Sequence, residues 1–235
     1  MEGYFLVADI LGFGAIVKNT NREELDKKIE EWINLVQDTA NKHDIKQLQL
    51  ISDTVFVSTD SSLEGLRKIA LFSRDLLEEG VSCSLPVRGA IAHGEYCWGE
   101  CLTYGEAIIK AHDLEMKQNW IGVSCDNNMP HILTDFPDFL VCYPTPKKGG
   151  PVVLHPVVLW DIPIFEKLIK YMMSGGLTRK GEVIDWSLGE KISNTITYRS
   201  YLNLVSMYNL NSSKFHGMQP MQIIDSHLDG RLKKF

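Results

Sequence analysis

Apolar and polar positions switch between two periods along this chain, and the switches mark its elements. Tyr4 to Ile10 is an apolar run of strand-forming residues that stops at two glycines, Gly12 and Gly14. Asn21 with Glu24 has the form of a capping box, and Leu25, Ile29, Trp32, Ile33, Val36 and Ala40 follow at helical spacing, predicting a first amphipathic helix. Leu48 to Val57 reads as two apolar strand halves around a tight turn at Ser52-Asp53. Ser61 with Glu64 opens a second helix, whose Leu66, Ile69, Ala70, Leu76 and Leu77 mark one face and which is expected to end at Gly80. Leu85 to Glu95 predicts a strand, Gly105 to Lys117 a third helix, and Trp120 to Ser124 a short strand.

Asn127, Asn128, Pro130 and Pro137 then signal a loop. Phe139 to Tyr143 and Val152 to Trp160 predict a hairpin around Lys147-Lys148-Gly149-Gly150-Pro151. Beyond Trp160 the pattern gives a helix from about Pro163 to Met173, a break at Gly175-Gly176, and another helix from about Leu188 to Met207. The β-α-β-β-α-β order with a further α-β predicts an α+β fold, a ferredoxin-like antiparallel sheet with helices on one face. Residues 1–160 form the core of this reading, and 161–235 a mostly helical extension of the same domain.

Composition narrows the class. An apolar fraction of 44% and a charged fraction of 23% are those of an ordinary globular protein. A net charge of −6 argues against a nucleic-acid surface, which needs clustered Lys and Arg, but leaves room for one triphosphate at a local site. Met1-Glu2-Gly3 lacks a basic leader, and no apolar run reaches the roughly 20 residues of a membrane span, so a cytosolic protein is expected. The 5 cysteines, Cys83, Cys97, Cys101, Cys125 and Cys142, follow no framework and read as free thiols. His93, Cys97 and Cys101 lack the paired ligand spacing of a structural zinc site.

The candidate chemistry lies in two acids. Asp9 stands near the end of a buried strand, where a carboxylate needs a partner or a metal. Asp53 stands at the later turn, and pairing of the two strands would bring both carboxylates to one edge of the sheet. Held that close they repel unless a cation lies between them, and hard divalent ions take carboxylate and carbonyl oxygens. Taken singly, Asp9 also reads as a strand-end cap and Asp53 as a turn residue.

Four blocks in order resemble a known family. Asp9-Ile10-Leu11-Gly12-Phe13, Asp53 at its turn, Arg88-Gly89-Ala90-Ile91-Ala92-His93-Gly94-Glu95, and the helix from Tyr104-Gly105-Glu106 to Leu114-Glu115 look like the class III nucleotidyl cyclase catalytic domain over residues 4–125. Among its branches, the short chain with an altered helix most resembles the pyrimidine cyclases of the bacterial Pycsar anti-phage system. The resemblance implies a palm-type sheet and a homodimer with sites at the interface. It also implies two Mg²⁺ or Mn²⁺ ions held by Asp9, Asp53 and the Ile10 carbonyl, at which a ribose 3′-oxygen attacks the α-phosphorus and releases pyrophosphate. The cyclic product would act on a separate effector. Backbone amides at Gly12 and Phe13 would cradle phosphate, and Lys148 would hold the outer phosphates, an exposed turn lysine being the plain alternative. Arg88 reads either as a triphosphate contact or as a sheet-edge ion-pair residue.

The departures bear on mechanism and substrate. Where the family carries an Asn and an Arg that reach the partner's substrate, this chain has Ile109 and Asp113. Lys110, one turn away, lies beside Glu106 and Asp113 and reads as a solvated helix ion pair. The two purine-reading positions are Gln49 and Leu102. An uncharged amide can bond the edge of uracil or cytosine, and Tyr104 or Trp98 would fill the space a smaller base leaves, so UTP is expected ahead of CTP. The other readings are a non-catalytic cyclase-like module that dimerises or senses nucleotide, and an ordinary adenylate cyclase, which Gln49 and Leu102 oppose.

Overall fold

Gly3 to Ala8 are buried without interruption, so the first strand is covered on both faces and sits inside the sheet. A computed structural model of the chain describes residues 1–134, 137–149, 153–160 and 186–208. In it β1 (Glu2–Ile10) pairs antiparallel with β3 (Thr54–Asp60) on one side and β4 (Val87–Cys97) on the other. β2 (Gln47–Ile51) extends the sheet beyond β3. Past β4 come β6 (Gly122–Cys125), which is parallel to it, then β8 (Val153–Val158) and β7 (Leu140–Thr145) as an antiparallel hairpin. β5 (Tyr104–Gly105) adds a short pairing to the end of β4.

The period of two along β1 sorts its side chains between two cores. Tyr4, Leu6, Ala8 and Ile10 join Trp32 and Val36 of α2 (Arg22–Lys42) and Leu66, Ile69 and Phe72 of α3 (Leu63–Ser82). Phe5 and Val7 face the other way and meet Ala107 and Ala111 of α4 (Glu106–Lys117), with Ala92 and Tyr96 of β4. The α+β class is as expected, but the expectation of helices on one face is corrected: α2 and α3 cover one face and α4 covers part of the other, because β1 is apolar on both.

Local signals held to within a residue or two. Asn21 caps α2, its Oδ1 accepting the Glu24 N–H at 3.0 Å. The cap of α3 is Ser62 rather than Ser61: the Asp60 carboxylate takes the Ser62 N–H at 2.8 Å and shifts the turn by one residue, leaving Ser61 Oγ 3.1 Å from His93 Nε2. α3 runs past Gly80 to Ser82, and the Gly80 carbonyl accepts the Leu85 N–H at 2.7 Å to close the helix end. Two short helices were not expected, α1 (Phe13–Asn19) and α5 (Pro130–Thr134), the second in a stretch read as loop. The helix read at about Leu188 to Met207 is α6 (Trp186–Tyr208). The predicted helix at 163–173 and the Gly175-Gly176 break lie outside the described residues.

α2 and α3 are clamped by a buried acid. The Asp75 carboxylate lies 2.7 Å from Lys42 Nζ and 2.6 Å from His43 Nε2. Burial alone would raise its carboxyl, but the hydrogen bonds from Lys42 and His43 outweigh burial and hold it below 3.8. A depressed carboxyl contributes stability that is present above the unfolded-state value and lost as pH falls through the lower folded-state value. Asp75→Asn is therefore expected to lose about 2 kcal/mol in urea unfolding at neutral pH. The gap to the parent protein should close as the pH is taken below 3.8.

Candidate active site

The two-residue period that puts Phe5 and Val7 on the α4 face puts Asp9 there as well, one step beyond the apolar cluster. Asp9 stands opposite Arg88 in the β1–β4 register, and Arg88 Nη2 donates to its Oδ2 at 3.3 Å. The same nitrogen contacts the Glu115 carboxylate more closely. Arg88 is 7% exposed and Glu115 3%, so this ion pair is fully enclosed between β4 and α4. Asp9 Oδ1, also buried, has no hydrogen-bond partner.

The charges around Asp9 pull against each other. Burial raises its carboxyl above 3.8, Arg88 opposes that, and the nearby Asp53 charge adds to it, leaving the group raised. Glu115 is raised above 4.5 by burial and by the Asp9 charge, with Arg88 opposing. Lys148 feels the same cluster: burial and Arg88 lower its ammonium below 10.5, against the pull of Glu115 and Asp9. Its Nζ donates to the Met116 carbonyl at 2.9 Å and its backbone N–H to the Lys117 carbonyl at 2.9 Å, which ties the β7–β8 hairpin to the last turn of α4.

Asp53 occupies the exposed β2–β3 turn, where Ser52 takes a left-handed conformation at φ 58° and its Oγ donates to Asp53 Oδ1 at 3.1 Å. Because β3 pairs with β1 up to Val55–Ala8, that turn comes level with the Asp9 end of β1. On the other side Ile10 ends β1, Gly12 turns the chain at φ 82°, which favours glycine, and Phe13 opens α1 with its ring against the main core. Asp9, Ile10, Gly12, Phe13, Asp53, Arg88 and Lys148 thus gather at one end of the sheet. Arg88 makes its ion pairs here from β4, inside the sheet and not at its edge.

Gln49 lies apart from that cluster, in β2. Its Nε2 donates to the Gly99 carbonyl at 3.3 Å and its Oε1 accepts from Thr103 Oγ1 at 3.1 Å. A carbonyl only accepts, so Gly99 fixes which end of the amide is nitrogen. Leu102 is 65% exposed and Tyr104 also faces solvent, while Trp98 packs its ring 5.7 Å from Phe5. On α4, Ile109 is 64% exposed, Asp113 pairs loosely with Lys117, and Lys110 pairs with Glu106 at 2.9 Å as a solvated helix ion pair.

Two residues escaped the sequence reading. Glu115 continues the stripe Ala107, Ala111, Leu114 that α4 buries, and an acid on an apolar stripe is a visible signal of a buried partner. Thr103 meets Gln49 across 54 positions, and no local pattern announces it.

No family model matches the chain, and no curated protein matches it. Solved structures do. The monomeric guanylyl cyclase domain of a fusion protein from the aquatic fungus Blastocladiella emersonii matches with a TM-score of 0.54 at 15% identity, over 67% of this chain and 94% of that one. The guanylate cyclase domain from Catenaria anguillulae, in complex with GTP, matches at 0.52 and 13% identity, over 67% and 96%. The catalytic core of a rhodopsin-guanylyl cyclase with converted specificity, in complex with ATPαS, matches at 0.54 and 14%, over 67% and 95%. At such identities the likeness is one of backbone architecture. Over 67% of its length, this chain has the fold of a guanylyl cyclase catalytic domain.

Proposed function

We propose that this chain is a nucleotidyl cyclase that closes a pyrimidine nucleoside triphosphate, UTP ahead of CTP, to its 3′,5′-cyclic monophosphate with release of pyrophosphate. The observation that carries the reading is the buried, unpartnered Oδ1 of Asp9 in the field of a second carboxylate, Asp53, on a cyclase fold. That orphan acceptor, together with mutual repulsion, suits a divalent cation. Among the described residues no group of three or more His, Cys, Asp and Glu converges to hold a metal ion. Two Mg²⁺ or Mn²⁺ ions would therefore rest on Asp9, Asp53 and the Ile10 carbonyl, and on the substrate's own phosphates. When bound, such ions favour loss of the 3′-hydroxyl proton and neutralise the triphosphate.

The chain's own groups would do the rest. Lys148, anchored on the Met116 carbonyl beside the acids, holds the outer phosphates, and the Gly12-Phe13 turn lines the approach. Gln49 keeps one amide hydrogen and one lone pair beyond its bonds to Gly99 and Thr103. Those two complement the O4 and N3–H of uracil, whereas charged purine-reading side chains are missing at Gln49 and Leu102. Leu102, Tyr104, Ile109 and Met116 are exposed large apolar side chains on β5, its approach and α4, which supports a homodimer formed over this face. The role in anti-phage defence, with a separate effector reading the product in the cytosol, rests on the resemblance to the Pycsar cyclases. Residues 161–235 belong to the same domain in this reading, supported by the contacts of α6 with Trp120 and Tyr143.

The exposed Ile109 and Asp113 favour a second reading, the non-catalytic module, because neither can donate to a phosphate. One experiment separates them: purified protein with Mn²⁺ and each of ATP, GTP, CTP and UTP, products identified by mass. The expected result is a cyclic monophosphate from a pyrimidine triphosphate. Product from ATP or GTP alone would overturn the substrate assignment, and no product from a folded dimer would favour the module.

A further inference from the structure

Arg88 holds two acids with one nitrogen, and the split is unequal. Nη2 contacts Glu115 closely and reaches Asp9 at 3.3 Å, beyond the 2.7–2.9 Å of a strong charge-assisted bond. Arg88 Nε has no hydrogen-bond partner, so the guanidinium does not fork onto either carboxylate through that edge. Glu115 lies nearer the cation, as an ionic contact in which its Oε1 makes no hydrogen bond, and Asp9 keeps Oδ1 without a partner and accepts the Arg88 hydrogen bond on Oδ2 at 3.3 Å.

We infer that Glu115 is a positioning residue for divalent-metal binding at Asp9, acting through Arg88. The inference rests on the reading of Asp9 and Asp53 as metal ligands. A buried guanidinium must pair with whatever acid it can reach. With Glu115 neutral, Asp9 is the acid within reach of Arg88, and the planar fork can close on both its oxygens. A cation fixed there competes directly with the metal. With Glu115 charged, Arg88 is held toward α4 and Asp9 Oδ1 stays open. The turn of α4 that carries Glu115 also supplies the carbonyls of Met116 and Lys117 that hold Lys148, so one helical turn sets both cations near the metal ligand. A purely structural Arg88–Glu115 pair would affect stability and leave metal affinity alone.

The test is Mn²⁺ binding to the full chain, by calorimetry or by loss of the free-ion resonance, with thermal unfolding in parallel. Glu115→Gln is expected to raise the Mn²⁺ dissociation constant about 10- to 100-fold, the usual cost of losing a group that orients a metal ligand. The double variant Arg88→Met with Glu115→Gln removes the competing cation and is expected to regain affinity to within about tenfold of the parent. A folded Glu115→Gln protein that binds Mn²⁺ like the parent overturns the inference, and so does a double variant no better than the single one. If Glu115→Gln does not fold, Glu115→Asp decides: its shorter reach should weaken Mn²⁺ binding several-fold, and unchanged affinity overturns the inference. A parent protein that binds no Mn²⁺ instead removes the metal site itself, an outcome distinct from both.

Discussion

Asp53→Ala gives a folded protein that forms no measurable cyclic nucleotide, with turnover down at least about 10³-fold. The magnitude follows from what a catalytic metal supplies, several kcal/mol of charge stabilisation, each 1.36 kcal/mol being a factor of about ten in rate. The fold should not notice. Asp53 is half-buried on a tight turn and accepts a hydrogen bond from the neighbouring Ser52, so its loss should cost no more than about 1 kcal/mol. Removing it also lifts a repulsion from Asp9, whose carboxyl it helps to raise. A normal melting curve with no product would place the defect in the chemistry. Turnover equal to the parent, with Mn²⁺ and the preferred triphosphate, would end the two-metal account.

Much of this arrangement could be read along the chain because the signals are local. An apolar run with one acid near its end, a Ser-Asp turn between two apolar halves and an Asn-x-x-Glu cap each describe their own surroundings. The apolar run Tyr4 to Ile10 was legible as a buried strand, but the helices were expected on one face only, and α4 covers part of the face opposite α2 and α3. What escaped was non-local. Glu115 was visible as an acid on the stripe Ala107, Ala111, Leu114, yet its partner Arg88 comes from another element. On α4 the family pattern falls on the exposed Ile109 and Asp113, while Glu115 lies on the buried face. Ser61 lost the cap of α3 to Ser62 because Asp60, outside the pattern, took a backbone N–H. Gln49 and Thr103 meet only once β2 and the β4–β5 connection are folded together.

Trp120→Ala is expected to cost about 3–5 kcal/mol, the range for emptying a buried indole. Its ring is fully buried, 5.1 Å from Tyr143 and 5.0 Å from Tyr198, and it lies over Gly122, where any side chain would run into it. Its Nε1 donates to Gln118 Oε1 at 2.9 Å, the same oxygen that accepts from Ser124 Oγ at 2.7 Å. Gln118 Nε2 in turn holds the Gly89 carbonyl at 2.8 Å, next to Arg88 on β4. One indole therefore supports both α6 and the strand that carries the site's guanidinium. Trp120→Phe keeps most of the filling and should cost only about 1–2 kcal/mol, since the rings of Tyr143 and Tyr198 retain a neighbour. Urea unfolding gives the two energies, and hydrogen exchange shows where they are felt. With alanine, amides of α6 should exchange faster, because a cavity opens beside the helix while its hydrogen bonds to Asn119, Ile121, Tyr143 and Val158 and the Tyr143–Tyr198 ring contact remain. If α6 kept its protection while the rest of the sheet weakened, the helix would be docked by those hydrogen bonds and not by the aromatic cluster.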